Sequence, residues 1–142
     1  MTFSKIKIQA IKEENYKYNT RTISSATDIV KIVNEIEELE KATEEITILI
    51  CLNNKNQIMG YSEIAKGTLN SCYLDIKSIF KVALSCNSSK ILLIHNHPSE
   101  VAQPSKCDYD ITNKLKEACK LMDFQLLDHI VIGGNNFASC IK

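Results

Sequence analysis

Two of the chain's three histidines, His95 and His97, stand one residue apart in the stretch ILLIHNHPSEVAQPSKCD, and both prolines, Pro98 and Pro104, fall in the same stretch. In a strand, residues i and i+2 share a face. If the strand persists through Asn96, the two imidazoles lie side by side. Pro98 then ends sheet pairing, because it has no N–H to donate. Two neutral imidazoles at that spacing suit one zinc ion. A catalytic zinc takes a third protein ligand and keeps its fourth position for water.

Asp108 is the candidate third ligand. The sequence Ser105-Lys106-Cys107-Asp108 fits a capping box, with Ser105 as N-cap and Asp108 three residues on. The helix it opens carries Ile111, Leu115, Ala118 and Met122 as an apolar stripe. At about 100° per residue, Asp108 lies roughly 60° from Ile111 and roughly 20° from Leu115, on the inward face. A cap gains nothing from aiming its carboxylate at the core. A bare buried carboxylate costs several kcal/mol and calls for a positive partner, which a metal ion supplies. An H-x-H pair alone is a weak signal; the prolines and the Ser105/Asp108 spacing strengthen it. The letters HNH do not mark an HNH nuclease, whose residues are dispersed over a longer metal-binding unit.

These groups need a scaffold. KIKIQAI alternates Ile6 and Ile8 with polar residues and predicts a short strand. Ser25 to about Glu44 has helical spacing, with Ser24 or Ser25 as cap. EITILICLNN is rich in β-branched residues and predicts a buried strand. NNKNQ is a turn leading to a hairpin partner, IMGYSEIAKG. Gly67 and GTLNS mark a break. LDIKSIFKVALSC is helical, and KILLIHN is a near-continuous apolar strand suited to the centre of a sheet. A helix over about 106–122, the strand QLLDHIVIGG and a short FASCI strand complete the order. The expected fold is α/β, a single central mixed sheet flanked by helices. The expected organisation is an N-terminal flanking strand and loop, 1–23, before one domain, 24–142.

The 142 residues contain 44% apolar and 24% charged side chains, with 17 basic against 17 acidic groups. That balance gives no global attraction to nucleic acid or to an anionic membrane. Six cysteines without C-x-x-C spacing predict reduced thiols in the core. No leader is expected at the N-terminus, and no segment reaches the roughly eighteen apolar residues of a membrane span. A cytoplasmic protein is expected.

HNHPSEVAQPSKCD resembles the JAMM (JAB/MPN) metalloprotease pattern, H-x-H-P-x(6)-S-x-x-D, and more closely the RadC family. RadC-like chains share HNHPS, PS-x-x-D, an IT..L..A..L helix and LLDHIIVG. This chain reads HNHPSE, PSKCD, ITNKLKEACKLM and LLDHIVIGG, and GTLN and LDIKSIFKVAL fit upstream. The resemblance spans about residues 24–142. It implies a cytidine-deaminase-like fold with Zn²⁺ on His95, His97 and Asp108. Glu100 stands where the family has glycine, and Leu74-Asp75-Ile76-Lys77 replaces its Pro-Arg-Glu helix start. The helix-hairpin-helix region of longer members is not expected in the roughly two dozen residues before the match.

The resemblance also implies a glutamate at the start of an early strand as general base. Laying the pattern over EEITILICLNN places Glu45 there, with Glu63 as runner-up. The implied reaction is attack of a zinc-activated water on an amide or isopeptide carbonyl. Glu45 moves the proton and Ser105 Oγ holds the oxyanion. Ser105 is expected to serve as both cap and oxyanion donor only by swinging between them. Asn96 points to the opposite face as a structural hydrogen bonder. At most one of Asp128 and His129 faces the site, more as an orienting group than as a ligand. The expected partner is a peptide or isopeptide substrate. The alternative is a RadC-like accessory of DNA repair or recombination, a non-catalytic binding module with a nucleic-acid or protein partner.

Overall fold

The computed structural model describes residues 1–17, 22–67 and 73–141. Among these, three helices and five strands form a three-layer sandwich, in the order α1 (Ala26–Glu37), β1 (Ile46–Leu52), β2 (Ile58–Lys66), α2 (Ile76–Ser85), β3 (Lys90–Asn96), α3 (Lys106–Leu121), β4 (Gln125–Gly133) and β5 (Asn136–Ser139). The sheet order is β2-β1-β3-β4-β5. The β3–β4 pair is parallel and the other pairs are antiparallel, so the sheet is mixed, as expected. Central β3 is buried from Ile91 to Asn96. That burial on both faces is why its sequence is a continuous apolar run rather than an alternating one.

Side-chain alternation divides the core in two. Leu49, Cys51, Ile91 and Leu93 face α2 and α3, meeting Ile79, Phe80, Ile111 and Leu115. Ile48, Ile50, Leu92 and Ile94 face α1, meeting Ile29 and Val33. The connection from β3 through α3 to the parallel β4 places the α3 N-terminus beside the carboxyl end of β3. Ligand sites in open α/β sheets form at such strand ends.

Several expectations are corrected. No strand forms over Ile6 and Ile8: residues 1–17 carry no regular structure and are exposed throughout. Alternation prepares a strand but does not supply a neighbour to pair with. α1 stops at Glu37, seven residues before Glu44, because Glu38 adopts a left-handed φ of 49°. Leu39 is nonetheless buried, in a short 3-10 turn. On α3 the buried stripe runs through Asp108, Ile111, Thr112, Leu115 and Cys119, whereas Met122 lies past the helix and is exposed. Cys51, Cys86, Cys119 and Cys140 are free thiols, but Cys107 is disulfide-bonded. Sequence spacing could not show that, because pairing depends on how close two Cβ atoms come in space. The predicted Thr68–Ser71 turn and Cys72 lie outside the described residues.

Candidate metal centre

His95 is the penultimate residue of β3, and the ladder continues one step beyond it: His97 N–H donates to Ile132 O at 2.7 Å. The strand therefore persists through Asn96, and both imidazoles face the α3 side. Their Nε2 atoms lie 3.1 Å apart. The α3 capping box forms as the spacing predicts, with Ser105 Oγ accepting from Asp108 N–H and the Asp108 carboxylate accepting from Ser105 N–H. That box holds Asp108 buried on the inward face. Its Oδ1 is 3.2 Å from His95 Nε2 and its Oδ2 is 3.2 Å from His97 Nε2.

The antiparallel register brings in Glu45. Thr47 pairs with His95, so the residues before β1 run beside those after β3. Glu45 Oε1 lies 3.8 Å from His95 Nε2. Glu45, His95 and His97 form a cluster whose donor atoms all lie within 4.8 Å of one another and could hold a metal ion. Glu63 is not part of it. It pairs with Ile48 and is exposed, and Ile48 packs in the opposite core. A cleft of about 370 Å³ opens at the cluster, lined by Glu45, His97, Pro98, Ser105, Asp108 and Ile111 among others.

The donor set fits a cation. His97 Nδ1–H donates to the Val101 carbonyl at 2.8 Å. A carbonyl only accepts, so neutral His97 turns a bare Nε2 lone pair toward Asp108 Oδ2. A lone pair facing a carboxylate oxygen is repulsive unless a positive charge lies between them. Ligand atoms about 2.0–2.1 Å from a tetrahedral zinc sit about 3.3 Å from one another. The Nε2–Nε2 separation of 3.1 Å is close to that edge, and each imidazole has its own Asp108 oxygen at 3.2 Å, Oδ1 for His95 and Oδ2 for His97. Burial pushes the Asp108 carboxyl up. Positive charge at the His95 Nε2 position, with the Ser105 hydrogen bonds, outweighs burial and holds the group well below the ordinary carboxylate range.

Capping does not itself occupy the Ser105 O–H. Its Oγ accepts the capping N–H of Asp108 at 3.1 Å. A hydroxyl that accepts through a lone pair keeps its O–H free to donate. Asn96 does point to the other face, where it braces the backbone around Glu45: Nδ2 donates to Glu44 O at 2.9 Å and Oδ1 accepts from Ile46 N–H at 2.7 Å. Of the Asp128/His129 pair, His129 faces the site. Its Nε2 is 2.9 Å from His95 Nδ1, and burial above all pushes its pKa down to about 3. Asp128 instead accepts from Ser139 Oγ at 2.5 Å. Thr112, 2.6 Å from His129 Nδ1, was absent from the sequence-derived site. The signal available for it was its place one helical turn after Asp108.

Residues 23–142 match the model of the RadC-like JAB domain. The chain belongs to the RadC-like JAB domain family. It is 42% identical over 117 residues to a UPF0758 protein of Clostridium perfringens, covering 82% of this chain and 51% of that protein. It is 38% identical over 120 residues to one of Staphylococcus haemolyticus, covering 84% and 52%. It is 37% identical over 129 residues to one of Chlorobium phaeovibrioides, covering 90% and 57%. The chain thus spans about half the length of these curated relatives. Within this RadC-like JAB domain, Glu100 has a left-handed φ of 65°. That is a conformation in which glycine pays no Cβ penalty, in keeping with the glycine that the resemblance implies there. Asp75, in the altered Pro-Arg-Glu segment, caps α2 by accepting from Lys77 N–H. No helix among the described residues is long and apolar enough to cross a membrane.

Proposed function

We propose that this chain is a zinc-dependent hydrolase of the metallopeptidase or isopeptidase type, with His95, His97 and Asp108 as metal ligands. The observation that carries this reading is the convergence of three side chains, with His95 and His97 Nε2 3.1 Å apart and each 3.2 Å from an Asp108 carboxylate oxygen, beside the Glu45 carboxylate just before β1 at 3.8 Å. A bound zinc ion supplies a Lewis acid and lowers the pKa of water toward about 7. The remaining chemistry belongs to side chains. Glu45, at the cleft mouth, takes the proton from the attacking water and returns it to the departing amide nitrogen. The free O–H of Ser105 donates to the oxyanion that develops on the carbonyl. Pro98 and Ile111 give the cleft an apolar wall. The substrate class that fits is a peptide or isopeptide amide.

The test is metal analysis of the purified protein and its variants, followed by a screen against peptide and isopeptide substrates. One zinc per chain is expected, with loss of metal in His97→Ala. Glu45→Gln is expected to keep the zinc and lose about 10²–10⁴-fold in rate. Zinc stoichiometry unchanged in His97→Ala would dispose of the site. Zinc retained with no amide cleaved would favour an accessory binding role.

A further inference from the structure

We infer that His129 and Thr112 are positioning residues that lock His95 into the tautomer needed to bind metal. The reasoning follows the protons. Thr112 Oγ lies 2.7 Å from the backbone carbonyl of Asp108, which only accepts, so the one hydroxyl proton points there. The contact of 2.6 Å between Thr112 Oγ and His129 Nδ1 must then take its proton from His129. Neutral His129 with its proton on Nδ1 has a bare Nε2, which accepts across the 2.9 Å contact to His95 Nδ1. His95 therefore carries its proton on Nδ1 and presents a free Nε2 to the centre. Each contact in the relay admits one proton direction, and a single backbone carbonyl sets them all.

The relay also closes a loop. It starts at Asp108, runs through α3 to β4 by Thr112 and His129, and returns to β3 at His95. Two proposed ligands from different elements are thereby tied to each other away from the cation. All three relay side chains are buried: Thr112 is 2% exposed, His129 1% and His95 2%. Water is thus excluded as a competing partner. A hydrogen bond of this kind raises the basicity of a ligating imidazole and fixes its orientation. Losing such a partner typically costs 10–100-fold in metal affinity.

The affinity arm of the test rests on the metal-site reading, whereas the tautomer arm does not. The tautomer arm is nitrogen-15 NMR of the imidazoles of the full chain, with and without added zinc. His129 is expected to be neutral and protonated on Nδ1 in both states. A His129 protonated on Nε2 would overturn the relay whether or not zinc binds. The affinity arm is competition of zinc against a chelator. His129→Leu is expected to bind 10–100-fold more weakly. His129→Gln, whose amide oxygen reaches the place of Nε2, is expected to recover most of that loss. Affinity within twofold of wild type in a folded His129→Leu would also overturn the relay. Wild-type protein that binds no zinc would sink the metal reading, and the relay would then be decided by the tautomer assignment alone.

Discussion

The amide of Asn96 spans a single residue of the neighbouring chain segment, Glu45, by bonding the Glu44 carbonyl on one side and the Ile46 N–H on the other. Both bonds are made inside the protein, with Asn96 2% exposed, so truncation leaves backbone groups without water to replace the lost partner. A buried group left unsatisfied costs about 1–3 kcal/mol. Asn96→Ala is expected to lower unfolding stability by about 2–3 kcal/mol in urea titration. Zinc stoichiometry is expected to hold, because the amide points away from the ligands. Turnover is expected to fall through kcat rather than KM, since Glu45 loses its fixed approach to the reacting water. An Asn96→Ala protein as stable and as active as wild type would show that the brace has no consequence. Asn96 thus accounts for the middle letter of His-Asn-His: the two proposed ligands occupy one face of the strand end, and the residue between them braces the proposed base from the other.

At the level of elements, the loop from Pro98 to Pro104 is held against the end of β4. A Cβ at Gly133 would lie 2.3 Å from Ala102 N and 2.5 Å from the Val101 carbonyl carbon. Backbone cannot yield at such distances, so Gly133→Ala must push away the segment whose Val101 carbonyl fixes the His97 ring. Overpacking of this kind costs about 1–3 kcal/mol. Zinc affinity is expected to fall about tenfold or more, as for loss of an orienting partner. Gly60→Ala serves as the control. Its Cβ would meet only Cys86 Sγ, at 3.5 Å, and zinc affinity is expected to stay unchanged. Equal zinc affinities in the two variants would dissociate the loop from the site. The elements that build the site were legible in sequence, because β1, β3 and β4 are long apolar runs and the helical angle of Asp108 relative to Leu115 aimed it inward. What escaped the sequence depends on approach in three dimensions. Nothing local marks Gly133 as a docking surface, Thr112 as the end of a relay, or Glu38 as the left-handed stop of α1. Ile6 and Ile8 had the right period, but residues 1–17 stay exposed and form no strand.

For the molecule as a whole, the two cores meet through the central strands, and the site is set into the α2/α3 layer by a buried imidazole that stays uncharged. His129 ordinarily titrates near 6.5, but burial above all pushes it down to about 3 in the folded chain. Unfolded chains therefore bind a proton between about pH 6.5 and 3 that folded chains refuse, and stability must fall as pH drops through that window. The limiting slope is about 1.4 kcal/mol per pH unit. Asp108, held below its ordinary value of 3.8, adds loss of the same sign only below about pH 4. Between pH 6.5 and 4 the Asp108 loss is therefore not yet in play, and the His129 contribution is read by difference from a variant that lacks the imidazole. In chelator-treated samples unfolded by urea, wild type is expected to lose about 2 kcal/mol more than His129→Gln between pH 6.5 and 5. Glutamine does not titrate, so that variant should follow a flatter curve. Parallel curves would mean that the imidazole accepts a proton in the folded chain, and hence that the buried layer around it is open to water.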